Sequence, residues 1–95
     1  MELYQLRQFA AVAKYENMTR AAESLNVAQP AVSKTIRNLE SELGAELFER
    51  TGKGLRRTEQ GDILLRYTQT ILEAERDARG EIEESWLAGG QMEWS

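Results

Sequence analysis

Residues 19–34 run Thr19-Arg20-Ala21-Ala22-Glu23-Ser24-Leu25-Asn26-Val27-Ala28-Gln29-Pro30-Ala31-Val32-Ser33-Lys34. Two helical segments meet here across Asn26-Val27-Ala28. Thr19 is a good N-cap for a short helix from Arg20 to Leu25, whose inner face is Ala21, Ala22 and Leu25. Asn26 tolerates the left-handed conformation of a tight helix exit, and Val27 is placed to plug the junction. The helix that follows is the clearest in the chain. Val32, Ile36, Leu39 and Leu43 recur at helical spacing and form one core stripe. Pro30 sits in its first turn, where a missing N–H costs nothing. Gly44 stops it, and Ala28 is a weak N-cap, where serine is better by about 1 kcal/mol.

Working outward, Leu3 to Tyr15 has apolar residues at helical spacing and reads as a preceding helix. After Gly44 the pattern changes. Glu46–Arg50 and Leu55–Thr58 read as two short strands around Thr51-Gly52-Lys53-Gly54, a β-hairpin that must lean on the helices. Thr58 starts a long helix from about Glu59 to Leu87, with Glu59 and Asp62 at its positive dipole end. Its apolar or small positions include Leu64, Thr68, Ile71, Leu72, Ala78, Ile82 and Trp86. A helix this long, read alone, lacks a core to lie on, so the stripe calls for a partner helix. Gly89-Gly90 ends it. Trp86 and Trp94 read as packing residues. The fold class is therefore mainly α. A winged helix-turn-helix of three helices and a two-stranded β wing occupies residues 1–58, and a long dimerisation helix follows at 59–88. Residues 89–95 read as a linker or the start of a further domain.

The chain has 95 residues, no cysteine and no histidine. Disulfides, thiolate metal sites, and the commonest general base and transition-metal ligand are thus excluded. There is no Gly-rich phosphate loop and no nucleophile beside a base, so neither an enzyme nor a cofactor is expected. No stretch approaches the roughly 20 apolar residues of a membrane span, and Met1-Glu2-Leu3-Tyr4-Gln5 is not a signal peptide. The expectation is a soluble cytoplasmic protein.

The net charge of −4 hides an uneven distribution. Residues 1–66 carry ten Lys and Arg against nine Asp and Glu, a net of +1, whereas residues 67–95 carry two against seven, a net of −5. From Arg50 to Thr58 there are four basic residues and no acid. DNA feels charge within a Debye length of about 8–10 Å, so the local surface matters more than the total. A helix fits the major groove, and the preceding helix braces it across the backbone. Gln29, Pro30, Ser33, Lys34 and Arg37 lie on or near the face opposite the apolar stripe. Gln29 can pair bidentately with an adenine edge, Ser33 can donate to a base or phosphate, and Lys34 and Arg37 can neutralise phosphate. Arg37 has an alternative partner in Glu40 or Ser41 on its own helix. Lys53 at the hairpin tip is first choice for the adjacent minor groove. Arg56 and Arg57 should split, one outward and one towards acidic neighbours.

These residues are recognisable. Ala21 to Lys34 resembles the helix-turn-helix signature of LysR-type transcriptional regulators. Leu6-Arg7-Gln8-Phe9 is similar to that family's opening helix, Leu39 to Arg50 to the end of its recognition helix and first wing strand, and Thr58-Glu59-Gln60-Gly61 to the start of its linker helix. Ala28 stands where the family often has a capping Ser or Thr, and Ala31 where some members carry a second proline. The resemblance implies sequence-specific binding of double-stranded promoter DNA as a homodimer through antiparallel linker helices. In a full-length protein it implies an effector-binding domain, a tetramer and contact with RNA polymerase. By position it assigns DNA contacts to Thr19, Arg20, Gln29, Pro30, Ser33, Lys34, Arg37, Arg50, Thr51 and Lys53. Two other readings stay open: a protein-interaction module with an unused DNA face, suggested by the acidic total, and a winged-helix regulator of another class with a different dimer.

Overall fold

The chain order is α1 (Leu3–Tyr15), α2 (Met18–Leu25), α3 (Gln29–Leu43), β1 (Phe48–Thr51), β2 (Gly54–Arg57) and α4 (Glu59–Ala88). The structure is a computed structural model that describes residues 1–88. The expected helix stop at Gly89-Gly90, the segment Gln91–Ser95 and the packing role of Trp94 lie outside the described residues.

Local chemistry sets the helix ends. At the start of α1 the Gln5 side chain accepts from the Glu2 backbone N–H at 2.9 Å, the return half of a capping box. Helix α2 starts two residues earlier than the sequence suggests and is capped by Asn17, not Thr19. The extended backbone of Asn17 lets its Oδ1 accept from the Arg20 N–H at 2.9 Å. Thr19 then falls inside the first turn, exposed. Asn26 takes the left-handed conformation, φ 57°, as expected. Helix α3 runs from an uncapped Ala28 to Gly44.

The core joins Leu6, Phe9, Val12 and Ala13 of α1, Ala21 and Ala22 of α2, and Val32, Ile36 and Leu39 of α3. Leu47, Phe48, Leu55 and Leu64 close it. The rings of Phe9 and Phe48 lie 5.4 Å apart and tilted by 44°, so the wing is anchored to the middle of α1. Two apolar expectations fail. Val27 is 37% exposed; the junction is closed instead by its N–H, which donates to Ala22 O at 3.1 Å. Leu43 is 42% exposed, because it borders an open groove with Leu47 and Leu64 instead of closing on the core, while Thr35 is buried beside Ile36.

The hairpin is antiparallel, pairing Phe48 with Arg57, Glu49 with Arg56, Arg50 with Leu55 and Thr51 with Gly54. Its first strand begins two residues later than expected because Glu46 and Leu47 are committed elsewhere. Glu46 O accepts from the Thr58 hydroxyl at 2.6 Å, and Leu47 O from the Thr58 N–H at 3.0 Å. Side chains directly opposite share a face. Phe48, Arg50, Leu55 and Arg57 therefore face the helices, and Glu49, Thr51 and Arg56 face out. Gly54 has φ 140°, and a Cβ there would stand 2.7 Å from Glu16 O, the carbonyl that also accepts from Leu55 N–H. Only glycine lets the wing dock this closely on the α1 exit.

Helix α4 is about 45 Å long by its 30 residues. It does have a core to lie on over its first half, contrary to the reading from sequence. Leu64 and Thr68 are buried, and Leu65 and Leu72 half-buried, against the body of the domain. Further along, Arg7 of α1 reaches Glu75 at 3.4 Å, and Arg79 hydrogen-bonds the same carboxylate. The Arg79 guanidinium, with Arg7 behind it, holds the Glu75 carboxyl below its ordinary value of 4.5. This exposed ion cluster contributes little to stability.

The Thr68 hydroxyl is fully buried with no hydrogen-bond partner among the described residues. Thr68→Val keeps the shape and removes the unpaired group. We expect it to stabilise the domain by about 1 kcal/mol. Urea denaturation checks this: an unchanged or lower midpoint would show that the hydroxyl is satisfied.

Candidate nucleic-acid interface

Three elements converge on one side of the domain. The N-terminal half of α3 presents Pro30, Lys34 and Arg37 fully exposed and Gln29 and Ser33 half-buried. The first turn of α2 presents Thr19 and Arg20, both exposed, beside it. The inward face of the hairpin brings Arg50 back towards α3. Between α3 and the hairpin lies a shallow groove of about 200 Å³, lined by Met18, Ser33, Ile36, Arg37, Glu40, Phe48, Arg50 and Leu55. Ser33 and Arg37 of α3 thus share one groove with Arg50 of the hairpin. Glu40, the acid on its wall, is tied down: its Oε2 accepts from the Leu47 N–H at 2.7 Å.

Thr51 and Lys53 sit at the hairpin tip, where Thr51 Oγ1 accepts from the Lys53 N–H at 3.2 Å and leaves the ammonium in solvent. Gln29 and Ser33 are joined, Nε2 donating to Oγ at 2.7 Å. Arg37 makes no ion pair with Glu40, whose carboxylate is occupied by the Leu47 amide.

Charge pairing divides the basic residues in two. Arg7, Arg56, Arg57 and Arg79 each bind a carboxylate. Arg56 meets Glu49 across the strands. Arg57 donates to Asp62 at 2.7 Å and to Ala13 O at 3.1 Å. Both wing arginines after the turn therefore end on acids, where the alternation of strand side chains led us to expect only one. Among the described residues the other eight, Lys14, Arg20, Lys34, Arg37, Arg50, Lys53, Arg66 and Arg76, make no ion pair. Five of them lie on α2, α3 and the wing, and two of these, Arg37 and Arg50, line the groove. An acidic chain thus keeps an uncompensated positive surface on one side.

Met18 in the groove and Asn17 as the cap of α2 were missed from sequence. The signal was present in Asn17-Met18-Thr19, because asparagine caps at least as well as threonine. What was lacking was the helix register that decides between them. Among the described residues no group of three His, Cys, Asp or Glu is placed to hold a metal ion. No helix among them is long and apolar enough to cross a membrane.

The seven residues Leu64, Thr68, Ile71, Leu72, Ala78, Ile82 and Trp86 do not form one surface. Leu64 and Thr68 are buried within the chain and cannot meet a partner, and Leu72 is partly covered. The open apolar stripe is instead Ile63, Tyr67, Ile71, Ala74, Ala78, Ile82 and Trp86, all exposed. Its first residues border a largely apolar groove of about 370 Å³, to which Met1, Leu43, Ala45 and Leu47 also contribute.

Comparison with known proteins agrees with this geometry. A family model described as bacterial regulatory helix-turn-helix protein, lysR family, matches residues 3–62. The RuBisCO operon transcriptional regulator of Allochromatium vinosum is 45% identical over 83 residues, 87% of this chain and 28% of that protein. The HTH-type transcriptional regulator PcaQ of Agrobacterium fabrum is 41% identical over 85 residues, 90% of this chain and 27% of that one. The chain thus spans under a third of the length of the curated relatives it matches. Among solved structures, the BenM DNA-binding domain in complex with catB site 1 DNA superposes with a TM-score of 0.86 at 35% identity, covering 90% of this chain and 94% of that one. The CbnR DNA-binding domain–DNA complex gives 0.83 at 35% identity, covering 90% and 98%.

Proposed function

Since the chain belongs to the LysR family of bacterial regulatory helix-turn-helix proteins, and is a regulator's DNA-binding domain rather than an enzyme, we propose that it reads a specific promoter sequence as a homodimer. Helix α3 enters the major groove with Gln29 and Pro30 towards base edges and Ser33 bound to the Gln29 amide. Lys34, Arg37, Arg50, Thr19 and Arg20 hold phosphates, and Thr51 and Lys53 reach the flanking minor groove or its backbone. The observation that carries this reading is the convergence of Ser33, Arg37 and Arg50 in one groove, with both arginines free of ion pairs.

The second copy belongs on the open stripe of α4. The stripe is bulky at both ends, in Ile63 and Tyr67 and in Ile82 and Trp86, and small at its centre, in Ala74 and Ala78. An antiparallel copy about a two-fold axis sets bulk at one end against the apolar groove at the other, with a close approach between. This self-complementarity supports a second copy as the occupant. The same reading assigns the protein to the cytoplasm. For a protein of the relatives' length it extends to tetramer assembly and contact with RNA polymerase.

Fluorescence anisotropy with the DNA upstream of the protein's own gene and a scrambled duplex tests it. We expect specific binding roughly 10³-fold tighter than non-specific. Arg50→Ala should weaken both and lower the slope of log affinity against log salt by about 1. Equal affinity for the two duplexes would sink the sequence-specific reading.

A further inference from the structure

Gln29 and Ser33 lie one turn apart on α3, and their contact has a direction: Gln29 Nε2 donates to Ser33 Oγ at 2.7 Å. A carboxamide alone is ambiguous. Turned by half a rotation about its last torsion, it exchanges an acceptor for a donor and suits a different base edge. Adenine offers a donor beside an acceptor in the major groove, N6–H and N7, whereas guanine offers two acceptors, O6 and N7. An amide held in one orientation tells them apart; a freely turning amide can offer its NH₂ to guanine. One Nε2 proton is engaged by Ser33. The other, with Oε1, forms an acceptor–donor edge that matches adenine and puts oxygen against oxygen with guanine. Ser33 is itself not diverted to the backbone. Ser24 and Thr70 donate to helix carbonyls, Ala21 O and Arg66 O, but among the described residues Ser33 Oγ makes no such bond. Its lone pair is therefore available to hold the amide.

We propose that Ser33 is a positioning residue that fixes the Gln29 carboxamide with its acceptor–donor edge outward, so that α3 selects adenine over guanine at one base pair. The inference rests on the DNA-binding reading above and adds to it the base and the reason for its choice. Ser33 acts on specificity through Gln29, not as an independent contact.

The test measures affinities of the wild-type protein, Q29A, S33A and S33T for duplexes carrying each of the four bases at every position of the bound site. Q29A should lose about tenfold or more of the preference for A·T at one base pair. S33A should erode the preference at that same pair and no other, by admitting G·C. S33T keeps the hydroxyl and should keep the preference. In the free protein, S33A should also shift the side-chain amide resonances of Gln29, and S33T should shift them less. An S33A variant that binds all four duplexes more weakly by one common factor, or leaves the Gln29 amide resonances in place, overturns the proposal while DNA binding stands. A wild-type protein that fails to distinguish its site from scrambled DNA overturns the DNA-binding reading itself, and this inference with it.

Discussion

Gly61→Ala is expected to destabilise the domain by about 3 kcal/mol, at the upper end of the overpacking range. In a domain of this size that lowers the melting temperature by roughly 12–20 °C. A Cβ on Gly61 would overlap Leu47 O and crowd Leu47 C at 3.2 Å. The neighbour cannot yield cheaply, because it is backbone. Leu47 O already accepts from Thr58 N–H at 3.0 Å, and the Leu47 N–H is held by Glu40 at 2.7 Å. Moving α4 outward instead would open the packing of Leu64 and Thr68, both in the core layer. Gly80→Ala is the internal control. Gly80 lies in the same helix with nothing within 4 Å of an added Cβ, so alanine there should stabilise by about 0.5–1 kcal/mol. Thermal melts followed by circular dichroism separate the two; equal stability of both variants would refute the close approach of α4 to Leu47.

The second large effect concerns association. Ile71→Asp places a charge in the open stripe of α4, where Ile71 is 40% exposed and outside the buried core. The variant should fold with near wild-type stability yet sediment as a monomer. Loss of the second DNA-binding unit removes the effective-concentration gain, so affinity for a two-half-site duplex should fall by about 10²–10⁴-fold, with single half-site affinity nearly unchanged. Leu64→Asp, seven residues earlier, should instead unfold the domain, since Leu64 is 9% exposed within the chain itself. Analytical ultracentrifugation with parallel denaturation curves distinguishes these outcomes. A dimeric, fully active Ile71→Asp would move the dimer off this helix face.

Much of the interface was legible because its residues are local. Gln29, Pro30, Ser33, Lys34 and Arg37 share one face of one helix, and the 3.6-residue period that marks Val32, Ile36 and Leu39 as core marks them as outward. The hairpin was legible in outline through its glycine turn. Its register was not, because Glu46 and Leu47 differ from strand residues only in their bonds to Thr58. Leu43 continues the apolar period of α3 and is nevertheless exposed, since periodicity reports which way a residue points but not whether its neighbours close over it.

The sequence by itself determined the helices, the turn between α2 and α3, the basic wing and the presence of a long apolar-striped helix, because each depends on contacts a few residues apart. The tertiary structure alone decided which charges stay free and which apolar residues stay open. Arg56 and Arg57 are as basic as Arg50, yet Glu49 and Asp62 bind them while Arg50 turns into the groove beside Ser33. Leu64 and Ile71 are equally apolar on the same helix, yet one lies against α1's side of the molecule and the other on the face that side leaves uncovered. Burial and ion pairing are properties of neighbours distant in sequence, and the angle at which α4 crosses the body sets them for every residue along it.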